Sequence, residues 1–167
     1  SNRVAQDAPK GAVLNARILW TFSAARRLFP DYPACEAIAD RAYAYFSGHF
    51  LDPGHGGVFW KLDASGELLD GRKQIYALAF AIYGMSEYHR FSGNQAGLRI
   101  AIDLFRMIET RGFDGKRNGY IEAYARDWRR MDDVRLSHKD ENALKTMNTH
   151  LHILEAYTGL FRVWKDP

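Results

Sequence analysis

Four polar side chains stand in the opening turns of an otherwise apolar segment near the end of the chain. They are Asn148, His150, His152 and Glu155, within residues 145–162. Around them Met147, Leu151, Ile153, Leu154, Ala156, Tyr157, Leu160 and Phe161 point in every direction of a helix, the pattern of a rod buried on most sides. Polar groups on such a rod are costly unless they are hydrogen-bonded or used. At about 100° per residue the two histidines lie about 200° apart, so one helix cannot aim both at a single metal ion. Asn148, His152 and Glu155 instead fall at i, i+4 and i+7, on one stripe. A single buried histidine is more often a hydrogen-bonded core residue than a functional one. An imidazole nevertheless changes protonation near neutral pH, which makes His152 the natural proton handler or oxyanion donor of that stripe.

Two other segments also open on polar side chains. Residues 12–29 predict a helix apolar nearly all round (Val13, Leu14, Ile18, Leu19, Trp20, Phe22), with Asn15 and Arg17 near its start and Pro30 as its stop. Residues 73–91 predict another, with Gln74 and Tyr76 in its opening turn and Gly93 at its end. Between them lie one-sided helices. One starts near Pro33 and reaches about Ser47, ended by Gly48, with Cys35, Ile38, Ala42, Tyr45 and Phe46 inward. The other is capped by Asn94 and closed by Gly112, with Leu98, Ala101, Ile102, Phe105 and Ile108 inward and Arg99, Asp103 and Arg106 outward.

Each helix pair is followed by an extended segment: a hairpin over residues 56–70 turning at 63–66, then residues 119–124, which repeat the segment at Gly57. The glycines at 54, 56 and 57 fit no phosphate-loop pattern and serve turns. The order is apolar helix, amphipathic helix, hairpin, the same again, a polar loop over residues 126–142, and a last apolar helix. Apolar helices belong inside and one-sided helices outside, so the fold class is all-α: a partial α/α barrel of about five helices in inner and outer pairs, joined by short β-hairpins. Inner helices of a repeat run parallel, so Arg17, Tyr76, Asn148 and His152 converge on one pocket, where helix N-termini offer spare N–H groups and partial positive charge. Trp60, Tyr120 and Trp128 near the mouths suit stacking on sugar rings, though each also serves as a structural aromatic.

Bulk properties narrow the alternatives. The 167 residues, 47% apolar and 14% aromatic, fit one globular domain over 1–167. A net charge of +3, with bases scattered among acids, gives no reason to infer nucleic acid or membrane partners. The densest basic group, Arg126, Arg129 and Arg130, carries Asp127, Asp132 and Asp133 among it and reads as a solvated or internally paired loop. Cys35 stands alone, which rules out an intramolecular disulfide or a cysteine-based zinc site. With no signal peptide and no long apolar run, the cytoplasm is the expected compartment. Ser1-Asn2 reads as a cloning remnant, and the abrupt start of the first helix predicts a preceding segment.

The motifs match a known family. Gly11-Ala-Val-Leu-Asn-Ala-Arg-Ile-Leu-Trp-Thr-Phe-Ser23, Lys73-Gln-Ile-Tyr-Ala-Leu-Ala-Phe-Ala-Ile-Tyr-Gly-Met-Ser-Glu-Tyr88, Arg126-Asp-Trp128 and Met147-Asn-Thr-His-Leu-His-Ile-Leu-Glu-Ala-Tyr-Thr158 resemble the N-acylglucosamine 2-epimerase superfamily, over about residues 9–162. The last motif is most similar to the cellobiose branch. The resemblance implies an (α/α)6 barrel that inverts C2 of the reducing-end sugar of cellobiose, lactose or mannobiose-like β-1,4-disaccharides. The route is ring opening, proton abstraction, an enediolate and reprotonation on the other face, with no metal and no nicotinamide cofactor. It assigns His152 to catalysis and Arg17, Tyr76 and Asn148 to holding sugar oxygens and the C1–C2 region.

Family members are well over twice this length, and their two acid–base histidines fall beyond Pro167. The resemblance therefore implies a fragment that is inactive alone, with unpaired inner faces covered by another copy or left as a large apolar patch. The alternatives are an N-acylglucosamine 2-epimerase or aldose–ketose isomerase of the same superfamily and a non-catalytic carbohydrate-binding module. A glycoside hydrolase would need a carboxylate pair from Glu122, Asp127 and Glu155.

Overall fold

The computed structural model describes residues 5–165, so Ser1-Asn2 lie outside the described residues. Strand β1 (Lys10–Gly11) leads into α1 (Ala12–Leu28), and α2 (Ala34–Tyr45) returns. Strands β2 (Lys61–Leu62), β3 (Leu68–Asp70) and β4 (Lys73–Gln74) precede α3 (Ile75–Ser92) and α4 (Gln95–Met107). Strand β5 (Ala123–Tyr124), a long loop and α5 (Met147–Phe161) complete the described chain. Helix α3 packs against α1 on one side and α5 on the other, while α2 backs α1 and α4 backs α3. The apolar helices are therefore the inner layer and the one-sided helices the outer layer. Close approach of α1 and α3 depends on Gly84, where an added Cβ would sit 2.8 Å from the Ala16 carbonyl oxygen.

The repeat has a period of 62 residues between the two outer turns. A π-helical turn at Phe46–Phe50 recurs at Ile108–Gly112, and the bridge Leu51↔Val58 recurs as Phe113↔Tyr120. Gly57 and Gly119 both take positive φ, 74° and 79°, a region that favours glycine. The strand pairs recur as well: β1 with β2 (Gly11↔Lys61), and β4 with β5 (Gln74↔Ala123), both antiparallel.

Three sequence expectations need correction. Gly48 does not end the second helix. The chain runs on through the π turn to bury Phe46 and Phe50, and Gly48 lies inside that turn. Lys73 and Gln74 are strand rather than helix, because Ala123–Tyr124 supply backbone partners that local pattern does not reveal. Helix α5 is not buried on most sides: Met147 is 74% exposed, Leu151 52%, Leu154 64% and Phe161 62%. Among the described residues no inner helix packs on that face, and its apolar stripe is bare. The expected caps are present, Asn94 accepting from the Gly97 N–H and Thr146 from the Thr149 N–H.

Candidate active site

The leading ends of the three inner helices enclose an open hollow of about 280 Å³. Helix α1 lines it with Arg17, Trp20 and Thr21, α3 with Tyr76, Phe80 and Tyr83, and α5 with His152 and Glu155. Three of the four residues expected to converge thus share one space. Asn148, one turn before His152, lines the neighbouring cavity and lies near enough to the Tyr76 side chain to oppose the rise of its phenol.

The rings fix the imidazole. Tyr76 meets His152 edge-on at 4.9 Å, and Phe80 packs against it at 4.5 Å, while the Arg17 guanidinium lies 6.0 Å from the Phe80 centroid. His152 Nδ1 donates to Glu155 Oε2 at 2.7 Å. That bond selects the tautomer and leaves Nε2 to act, a neutral acceptor or a protonated donor. Burial raises the Tyr76 phenol, with Glu155 adding to the rise and Arg17 and Asn148 opposing it. The hydroxyl therefore keeps its proton at neutral pH and can donate to a substrate oxygen. Deeper along the bundle a second cavity of about 370 Å³ shares Trp20, Tyr83 and Glu155, and the stacked Trp20–Tyr83 pair forms its wall.

His150 has a different place, as the helical spacing requires. Its Nδ1 donates to the Thr146 carbonyl at 2.6 Å and its Nε2 accepts from the Tyr120 N–H at 3.0 Å, so it ties α5 to the preceding loop. Two of the three candidate stacking aromatics are absorbed into the structure. Tyr120 donates to Glu109 and packs against Phe113 and Tyr157, and burial with that carboxylate pushes its phenol up to about 12. Trp128 donates from Nε1 to the His55 carbonyl. Trp60 lines a separate cavity of about 170 Å³ with Arg72 and Arg135.

The carboxylates do not form a hydrolytic pair. Glu155 belongs to His152, Asp127 pairs with Arg129 on the surface, and Glu122 is buried under the start of α5. The arginine-rich loop is internally paired at Asp127–Arg129 and Asp133–Arg135, but Arg126 reaches back 74 residues to grip Asp52 with two bonds. Lys73 donates to the same carboxylate at 2.7 Å. Burial alone would raise Asp52, but the Arg126 and Lys73 bonds hold it well below the usual carboxylate range. Sequence spacing carries no signal for this cluster, whose members are scattered single charges. Among the described residues no three His, Cys, Asp or Glu side chains gather as a metal site would require. Nor is any described helix long and apolar enough to cross a membrane.

Paired helices in two layers, with polar groups gathered at the leading ends of the inner ones, define an arc of an α/α barrel. The chain belongs to the N-acylglucosamine 2-epimerase (GlcNAc 2-epimerase) family, whose model matches residues 1–166. It is 57% identical over 159 residues to cellobiose 2-epimerase of Bacteroides fragilis, covering 95% of this chain and 40% of that protein. It is 27% identical over 140 residues to D-mannose isomerase of Thermobifida fusca, covering 80% of this chain and 31% of that one. The solved structure of cellobiose 2-epimerase from Bacillus thermoamylovorans B4167 superposes with a TM-score of 0.92 at 41% identity, over 98% of this chain and 42% of its own. The chain spans about 40% of the length of these cellobiose 2-epimerases.

Proposed function

We propose that this chain forms the substrate-holding arc of a sugar 2-epimerase that inverts C2 of the reducing-end glucose of cellobiose and related β-1,4-disaccharides. The observation that carries the reading is the convergence of Arg17, Tyr76 and His152 on one hollow, with Asn148 beside Tyr76. Identity of 57% to a cellobiose 2-epimerase, against 27% to a mannose isomerase, favours the disaccharide over the monosaccharide.

In the opened sugar the C2–H bond breaks, its proton passes to a base on one face, and the electron pair forms a C1–C2 enediolate. A proton delivered to the opposite face of C2 gives the mannose-configured product, with no net change in atoms or electrons. Arg17 and the Tyr76 hydroxyl hold the developing negative charge on the C1 and C2 oxygens, Asn148 orients Tyr76, and His152, steadied by Glu155, moves a proton at or near those oxygens. Proton transfer on the two faces of C2 needs two bases, and we place both on further inner helices of a longer chain, whose packing would cover the bare stripe of α5. A lone cysteine fits a cytoplasmic setting for that enzyme.

The test is incubation of the full-length protein with cellobiose, followed by product analysis. The proposal predicts glucosyl-mannose. Free glucose would show a hydrolase, a fructose-ended product alone would show an isomerase, and unchanged cellobiose that binds would show a carbohydrate-binding module. The 167-residue chain alone should yield no mannose-ended product.

A further inference from the structure

Glu122 touches two of the three site-bearing helices, α3 and α5. Its backbone carbonyl accepts from the Ile75 N–H at 2.9 Å, at the first residue of α3 and one before Tyr76. Its side chain turns to α5: Oε1 accepts from the Thr146 N–H at 2.8 Å and the Thr146 hydroxyl at 2.9 Å, and Oε2 accepts from the Thr149 hydroxyl at 2.6 Å. Thr146 and Thr149 flank Asn148. Glu122 is 2% exposed and Thr149 fully buried, and among the described residues no Lys or Arg forms an ion pair with this carboxylate. A buried carboxylate without a cation is costly, and here hydroxyls, an N–H and the positive end of α5 are what stabilise it. Residue 60, one repeat earlier, makes the same backbone bond, Ala12 N–H to the Trp60 carbonyl, but has no carboxylate to offer. The side-chain arm is particular to the repeat that joins α3 to α5.

We infer that Glu122 is a positioning residue, a clamp that sets the separation and rotation of the leading ends of α3 and α5 and so holds Tyr76, Asn148 and His152 in working register. It acts through the helices and does not touch the hollow. The activity arm of its test rests on the epimerase reading, and the structural arm does not.

In the full-length protein, Glu122→Ala strands the Thr146 N–H and the Thr149 hydroxyl, and should lower kcat/KM for cellobiose at least tenfold, mostly in kcat, at temperatures where the variant stays folded. Glu122→Gln keeps one oxygen for Thr146 and offers its amide N–H to the Thr149 hydroxyl oxygen, so it should stay within about threefold of the parent. Asp40→Asn, which disturbs the remote Tyr88–Asp40 bond at 2.8 Å, should leave kcat/KM within about twofold. Should Glu122→Ala fail to fold, Thr149→Val removes a single bond at constant shape and should cost several-fold. The clamp is overturned if the folded Glu122→Ala or the Thr149→Val variant keeps parental kcat/KM, or if Asp40→Asn loses as much. If the parent does not epimerise cellobiose, the functional proposal fails, and the clamp is decided by NMR. Ring-to-ring NOEs between Tyr76 and His152 should vanish in Glu122→Ala and persist in Glu122→Gln. Their persistence in Glu122→Ala would overturn it.

Discussion

The two outer turns of the molecule are built alike and buried unlike. Residues 46–58 and 108–120 share a π-helical turn, an antiparallel bridge and a positive-φ glycine. They also share an aspartate gripped by the lysine that leads the next inner helix, Asp52 with Lys73 and Asp114 with Lys145. The first pair is sealed, at 0% exposure on both sides, with Arg126 of the second repeat lying over it. The second remains partly open, at 24% for Lys145 and 16% for Asp114. Each repeat supplies the ion pair, and the following repeat decides whether it becomes core. The same holds for the inner helices, since α3 is enclosed between α1 and α5 while α5 keeps a bare stripe.

Breaking the sealed pair is expected to have the largest effect. Lys73→Met leaves a buried carboxylate short of a cation and should destabilise by about 3–5 kcal/mol, read as a drop in denaturation midpoint. Lys145→Met should cost clearly less, because water can take over. Equal losses would break the comparison. The same pair sets an acid limit. Asp52 is held below its ordinary value of 3.8, so its contribution is complete above about pH 4–5 and is lost as pH falls through the depressed folded-state value. Urea midpoints between pH 2 and 6 should fall on the acid side, and Asp52→Asn should flatten that limb.

The paired glycines sharpen the contrast at intermediate size. Gly57→Ala and Gly119→Ala both force a side chain into positive φ, about 1–3 kcal/mol each. At Gly119 the new Cβ would also stand 2.7 Å from His150 Nε2, displacing the ring from the Tyr120 N–H, against 3.1 Å from Trp128 at Gly57. Thermal melts should therefore rank Gly119→Ala below Gly57→Ala. The smallest effect belongs to the bare stripe. Leu154→Gln should change the stability of the 167-residue chain by no more than about 0.5 kcal/mol. In a longer chain whose next inner helix covers α5, it should cost well above that, and this difference measures the missing cover.

Periodicity explains what the sequence made legible. All-round and one-sided apolar patterns separate inner from outer helices, and the repeated glycines mark the 62-residue period without reference to contacts. The i, i+4 and i+7 stripe on α5 separates His152 from His150 by geometry alone. The unread features depend on distant partners. Lys73-Gln74 becomes a strand only because Ala123–Tyr124 lie beside it, and Asp52 finds its cations 21 and 74 residues away. Gly48 reads locally as a helix stop, yet burial of Phe46 and Phe50 carries the chain past it. Periodicity alone does not show the bare face of α5, because an apolar pattern records what a helix can bury, not what is present to bury it; the greater length of the resembled family is what points to unpaired inner faces. Glu122 gave no signal beyond being one carboxylate in an extended segment.

Under the proposed function, the leading ends of α1, α3 and α5 hold the reducing-end sugar. A crystal structure of the full-length protein with cellobiitol, whose reduced unit mimics the opened sugar, tests it most directly. The account predicts the glucitol unit in the hollow, its C1 and C2 oxygens within hydrogen-bond reach of Arg17, Tyr76 and His152. A glucitol bound elsewhere, with that hollow holding only solvent, would contradict it.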